Sequence, residues 1–278
     1  MAQPGELESL DDYIAELVTK LARVAVAADA SRRPARTGAG IGEAKVNINR
    51  EQIMSDGRVF VGRNYKGITD HSVDILRVDD LDGIPIAIVC SFAAHPVVMG
   101  MNTFLLSPDY PGVVRRVVEQ TVGGTCLFLT GAAGNQATIE FLQHDWNEVE
   151  RIGGIIGLEA AKTAIAIETR PHRVVMETGG SMANLALYSK QFQEGSTHDL
   201  FKVASRKVTV PLQPLPNLSE AITQASESEQ KLAQAEQTGV TVRETVPLIL
   251  MERWTKGVLK KVKAGVKQEN LVFDIVGY

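Results

Sequence analysis

The chain is short of cysteine, with only Cys90 and Cys126 among 278 residues. Two cysteines exclude a disulfide framework. Each lies in a short apolar run, as buried free thiols do, although one disulfide between them stays open. A basic excess is also missing. Lys and Arg total 29 against 33 Asp and Glu, for a formal net charge of -4. A surface that tracks nucleic-acid phosphates needs a basic stripe, so no nucleic-acid partner is expected. The one local cluster, Lys256, Lys260, Lys261, Lys263 and Lys267, has the spacing of a solvated helix face. No apolar run reaches the length of a membrane span, so no transmembrane segment is expected. Met1 to Asp12 is acidic and polar, unlike a signal peptide, which leaves the compartment unread. Histidine is sparse too: His71, His95, His144, His172 and His198 form no HxH or HxxxH pair. The sequence therefore offers no complete set of zinc ligands, of which a catalytic site takes three from protein.

What is present is a chain that is 44% hydrophobic, enough for a large core. Leu10, Ile14, Leu17, Leu21 and Val24 recur at helical spacing. Pro34, Gly38, Gly40 and Gly42 read as loop breakers. Residues 43–70 read as extended segments and loops. Strands are expected at Val73 to Val78 and Ile84 to Phe92, joined by a hairpin at Asp82-Gly83 of the type I′ kind. A helix is expected from Asp109 to about Val122, then a strand over Thr125 to Thr130. A second helix spans Asp145 to Glu168, with Val149, Ile152, Ile156, Leu158, Ala161 and Ile165 facing the core. Strands follow near 173–179 and 202–211, then helices at 218–237 and 244–264 joined at Gly239, and a strand at Leu271 to Val276. The fold class is α/β: a mixed sheet flanked by helices, with a C-terminal helical hairpin.

In such folds the loops at the carboxyl ends of strands carry the site. Two loops fit, one with His95 and one with Asn135. His95 ends an apolar strand before Pro96, and its imidazole needs a hydrogen bond or a metal. Taken alone, a satisfied core histidine is the favoured reading. Asp109 orients a ligand or caps a helix, and the cap is favoured locally. Small residues at Gly131–Asn135 let backbone N–H groups approach a ligand as an oxyanion hole requires, and a plain tight turn is an equal alternative. Arg50 suits a carboxylate or polar head group, or serves a structural role.

Five segments in order carry a resemblance: NINR at 47–50, SFAAHPVVM at 91–99, LLSPDYPG at 105–112, FLTGAAGN at 128–135 and NEVERIGGIIGLEAAK at 147–162. Together they resemble the neutral/alkaline non-lysosomal ceramidase family over roughly residues 10–215. The resemblance implies a zinc-dependent hydrolase of a linear amide bond, taking N-acylsphingosine to a fatty acid and a sphingoid base. It implies a Zn2+ cofactor with His95 as one ligand, and a small-molecule or lipid amide as partner. It places Arg50 and Asp109 on the substrate side, and Gly134 and Asn135 at the start of the family hexapeptide. Family members are often secreted or at the cell surface. The hexapeptide here reads Gly134-Asn135-Gln136-Ala137-Thr138-Ile139, so Ala137 holds the place of the serine nucleophile and supplies no nucleophilic atom. The upstream Thr-His-Thr-His stretch has no counterpart, and the downstream zinc-binding Glu and Tyr are unaccounted for. The expectation is one incomplete catalytic domain over 1–278, with 217–265 as a helical hairpin, and an activity that is impaired or altered. The alternative is a non-catalytic ligand-binding relative or an inactive fragment.

Overall fold

The computed structural model describes residues 6–100, 103, 105–177, 186–193, 204–240 and 242–277. His198, Tyr278, the last two residues of the strand expected at 173–179 and the first two of that at 202–211 lie outside them. The chain divides into two compact units, Met1–Thr197 and His198–Tyr278.

The first unit begins with helix α1 (Glu6–Ala30). The spacing predicts this helix, yet every residue from 11 to 30 is exposed, so Ile14, Leu17, Leu21 and Val24 are left in solvent. Strand β1 (Arg36–Glu43) follows, where glycine breakers were expected. The correction has a steric cause. Gly38, Gly40 and Gly42 are two apart, so they share one face of a strand. A Cβ at Gly42 sits 2.6 Å from Thr163 Oγ1, and one at Gly40 sits 3.1 Å from Thr163 Cγ2. These glycines are the flat side against which a helix lies, not the ends of an element.

Strands β2 (Asn47–Ile53) and β3 (Val59–Asn64) form an antiparallel pair. Strands β4 (Ser72–Asp79) and β5 (Pro85–Phe92) form the expected hairpin. The turn is longer than a two-residue I′ turn. Asp80 Oδ1 accepts from the amides of Asp82 and Ile84 at 3.0 and 2.9 Å, and Gly83 takes φ of 86°. The aspartate side chain organises a wider loop that only Gly83 enters with positive φ.

Helix α2 (Asp109–Val122) crosses from β5 to β6 (Thr125–Thr130), and β5 and β6 pair in parallel. A short strand, β7 (Gln136–Thr138), joins β2 to give the order β3-β2-β7. Helix α3 (Trp146–Ala166) starts at Asp145, whose side chain accepts from the amide of Asn147. The main sheet has the order β1-β4-β5-β6, antiparallel except for the last pair. Ile88, Cys90 and Phe92 of β5 alternate onto one face and pack against Val113, Val114 and Val118 of α2 and Ile152, Ile156, Ala160 and Ala164 of α3. Leu158 and Ile165, expected in that set, are 62% and 58% exposed. They lie nine and sixteen residues after Val149, which at 3.6 residues per turn puts them on the opposite side of the helix. Gly153 keeps α2 and α3 close, because a Cβ there lies 2.5 Å from Val113 Cβ and 2.8 Å from Tyr110 O.

Both cysteines are free and buried in this core. Burial pushes their thiols up, to about 12 for Cys90 and about 11 for Cys126. Strands β8 (His172–Glu177) and β9 (Leu187–Phe192) form a separate antiparallel ribbon.

In the second unit, β10 (Ala204–Pro211) pairs antiparallel with β11 (Asn270–Gly277). Between them lie α4 (Leu218–Thr238) and α5 (Val242–Lys263), the expected helix pair. A capping box between Asn217 and Glu220 opens α4, and Gly239 closes it in the left-handed conformation. The mixed α/β content and the C-terminal helix pair follow the fold class read from the sequence. Among the described residues, no helix is long and apolar enough to cross a membrane.

Candidate active site

Parallel strands end at the same edge of a sheet, so the chain segments leaving β5 and β6 start side by side. Phe92 pairs with Thr130, and the Gly131 amide donates to Phe92 O at 3.0 Å. The two loops singled out in the sequence are thereby brought together. His95 donates its backbone amide to Gln136 O at 3.1 Å and forms a parallel bridge with Ala137. Its ring Nδ1 lies 2.8 Å from Ala133 O. A carbonyl oxygen only accepts, so Nδ1 carries the hydrogen, and the lone pair of the neutral ring sits on Nε2. Among the described residues Nε2 has no hydrogen-bond partner. His95 is half-buried. Among the described residues its hydrogen-bonding capacity is thus only half used.

Every carbonyl from Ala132 to Asn135 is held by a neighbour. Gln136 Nε2 donates to Ala132 O at 3.0 Å. His95 Nδ1 and the Gln136 amide donate to Ala133 O. Arg50 gives both Nε and Nη2 to Gly134 O, at 3.1 and 2.8 Å, and its own amide to Asn135 O at 2.8 Å. All these peptides are trans. In a trans peptide the N–H of the next residue points opposite to the C=O. The Gly134 amide therefore points away from His95, and the Asn135 amide points away from the Arg50 side chain. One carbonyl of the loop, Ala133 O, meets the His95 ring, so the Gly134 N–H of that peptide is not the donor of an oxyanion hole beside it. The side-chain amide of Asn135 makes no hydrogen bond among the described residues.

The other candidates take their places around this loop. Arg50 is half-buried, and three of its N–H groups are spent on backbone carbonyls. Its fork locks the loop. Asp109 is 8% exposed, and its carboxylate accepts from the amides of Val98, Met99 and Tyr110 at 3.2, 3.0 and 2.8 Å. The helix N-cap position is Pro108, without a side-chain cap bond, and Asp109 itself adopts φ of 53°. Instead of capping α2 from outside, the carboxylate ties the first turn to the segment after His95. Next to it Tyr110 Oη donates to Ala94 O at 2.7 Å, and burial pushes its phenol well above the usual range.

Ala137 is fully buried, paired with Ile48 of β2 on one side and bridged to His95 on the other. A hydroxyl placed there enters a closed site. Ala137→Ser is expected to cost about 1–3 kcal/mol, the penalty of a buried hydroxyl without a partner. Chemical denaturation checks the cost, and a hydrolysis assay is expected to show no gain in turnover. A gain would mean that the position opens to substrate.

Sequence reasoning missed a polar network beneath the loop. Asn47, 2% exposed, donates from Nδ2 to Asp70 O at 2.6 Å and Ala93 O at 2.9 Å, with Gln136 Oε1 at 3.3 Å. His71 Nδ1 donates to Asn47 Oδ1 at 2.6 Å, and the Asp70 amide donates to Gln136 Oε1 at 2.7 Å. The available signal was a pair of amide side chains in the same short segments as Arg50 and Asn135.

The implied zinc can be tested against the donor set. Among the described residues, no group of three His, Cys, Asp or Glu side chains converges on a point. One open imidazole nitrogen is a single ligand, and a catalytic zinc takes three from protein. The described residues do not make a zinc site.

No family model and no curated protein matches the sequence. Among solved structures, the chain is similar to a ceramidase complexed with C2 and to neutral ceramidase from Pseudomonas aeruginosa, each at 19% identity and a TM-score of 0.42. The first covers 64% of this chain and 25% of its own, and the second 69% and 28%. The chain thus spans about a quarter of the length of the chains it matches.

Proposed function

We propose that this chain is a ceramidase-type amide hydrolase scaffold, acting on a linear amide such as N-acylsphingosine, with turnover that is impaired or altered because Ala137 stands in the place of the serine nucleophile. The whole of 1–278 is taken as the catalytic region, with 217–265 as its helical hairpin. The observation that carries the reading is the oriented imidazole of His95. Its Nδ1–H is anchored on Ala133 O, and its Nε2 lone pair has no partner among the described residues.

The chemistry that these residues support is general-base attack by water. Nε2 takes a proton from water as the water oxygen bonds to the amide carbonyl carbon. The resulting imidazolium returns that proton to the amide nitrogen as the C–N bond breaks, releasing fatty acid and amine. Ala133 O, already accepting from Nδ1–H, favours the imidazolium while it exists. Ala133 O faces the ring, so the Gly134 N–H of that peptide adds no donor for the oxyanion there. Loss of one such donor costs about 10²–10³ in rate. Slow hydrolysis is the consequence. Zn2+, implied by the resemblance, finds one ligand here, and no step is assigned to it.

Metal content and N-acylsphingosine hydrolysis, measured together on purified protein, test the proposal. The expected result is far less than one zinc per chain and slow release of fatty acid. Stoichiometric zinc with fast turnover would overturn the impaired reading. Tight N-acylsphingosine binding with no release at all would favour the non-catalytic relative instead, which the closed site at Ala137 supports.

A further inference from the structure

We propose that Gln136 and Asn47 are positioning residues that set the tautomer of His95. The idea rests on the reading of His95 as the working imidazole, although its test does not need substrate. Two chain segments must be held at a fixed separation for Nδ1–H to reach Ala133 O. One is the strand end that carries His95, and the other is the loop that carries Ala133. The backbone fixes them at Gly131 and Gln136, on either side of the acceptor. Between these points, the two side-chain amides do the spacing.

Asn47 Nδ2 holds Ala93 O, two residues before His95, and Gln136 Nε2 holds Ala132 O, one residue before the acceptor. The amides meet each other at 3.3 Å, and Asp70 clasps both, its carbonyl on Asn47 and its amide on Gln136. Nδ2 has two hydrogens for three acceptors, so the 3.3 Å contact is the shared and weaker one. The orientation of Asn47 is not free. Ala93 O and Asp70 O both require a donor, and His71 Nδ1–H at Oδ1 requires an acceptor. Flipping the Asn47 amide would set oxygen against two carbonyls. Asn47 is almost completely buried and Gln136 is 5% exposed, so water does not readily replace a lost bond. If Ala132 is released, Ala133 O is held by the Gln136 backbone amide alone, so its peptide can tilt and the acceptor that selects Nδ1–H weakens.

Gln136→Glu keeps the acceptor for Asp70 at nearly the same shape. It replaces the donor to Ala132 O with a second oxygen. Asn47→Ser keeps one small donor-acceptor group and shortens the reach to Ala93. Imidazole ¹⁵N spectra of His95 read the tautomer directly, at a pH about two units above the ordinary imidazole value of ~6.5. The wild-type chain is expected to show a protonated Nδ1 and a lone-pair Nε2. Both variants are expected to move the two resonances towards the average of the two tautomers. Val149→Ala, which trims a buried α3 side chain elsewhere in the core, is expected to lower the Tm without moving them. Unchanged His95 resonances in folded Gln136→Glu and Asn47→Ser would overturn the proposal. So would an equal shift in Val149→Ala. Neither result bears on whether the wild type hydrolyses an amide, so the two readings fail separately.

Discussion

Asp79→Ala is expected to destabilise the first unit by about 3–5 kcal/mol, the cost of leaving a buried charge without its partner. Asp79 is 1% exposed, and Arg77 Nε lies 2.9 and 3.0 Å from its two carboxylate oxygens. Thr169 Oγ1 adds a hydrogen bond to Asp79 Oδ2 at 2.6 Å. Arg77 reaches on from β4 to Ala164 O and Ile167 O, at 3.0 and 3.4 Å, where α3 ends. The carbonyls of a last helical turn have no partner within the helix, and a cation there also meets the negative end of its dipole. Removing the carboxylate therefore frees Arg77 and loosens the join between the sheet and α3. Asp79→Asn keeps the shape and part of the bonding, so its cost is expected to be smaller. Because the chain has two units, a single melting curve mixes them. Hydrogen exchange at β4 and α3 amides reads the correct one. Loss of protection in Asp79→Ala no larger than in Asp79→Asn would contradict this account of the pair.

The second large effect concerns the candidate site. His95→Ala is expected to remove whatever amide hydrolysis the chain has, by about 10²–10⁴, the usual contribution of a positioned general base. The side chain is a poor candidate for a purely structural role. Among the described residues it makes one hydrogen bond, to a loop that Arg50 and Gln136 hold independently. Truncation is therefore expected to leave the Tm nearly unchanged while the rate falls. Arg50→Ala should behave differently. It frees Gly134 O from the guanidinium fork, while the backbone amide of residue 50 still holds Asn135 O, so the loop loosens and stability and rate fall together.

The parts of this architecture that were legible in the sequence are those encoded by local pattern. The β5 and β6 runs, the Asp145 start of α3 and the Gly239 end of α4 all lie within a residue or two of where apolar spacing and cap residues put them. The juxtaposition of His95 with the Gly131–Asn135 loop also followed from pattern, since two parallel strands must end at one edge. The roles of Arg50 and Asp109 did not, because their partners are main-chain groups that no letter records. Arg50 meets a carbonyl 84 residues away, and Asp109 meets the amides of Val98 and Met99. The direction of the loop's peptides is equally silent in sequence. GAAGN suits a loop with its N–H groups turned to a ligand as well as one with the Ala133 carbonyl turned to a histidine. The glycine alternation of β1 was readable in principle. Its period of two is the strand signal, and glycine's low strand propensity masks it.

The hydrolase reading depends on the Nε2 lone pair of His95, and a single comparison addresses it. Fatty-acid release from N-acylsphingosine is followed over long incubation with wild-type protein and with His95→Ala of matched Tm. Slow release by the first and none above background by the second is the predicted outcome. Equal release from both proteins would show that the imidazole does no chemistry and that the site lies elsewhere.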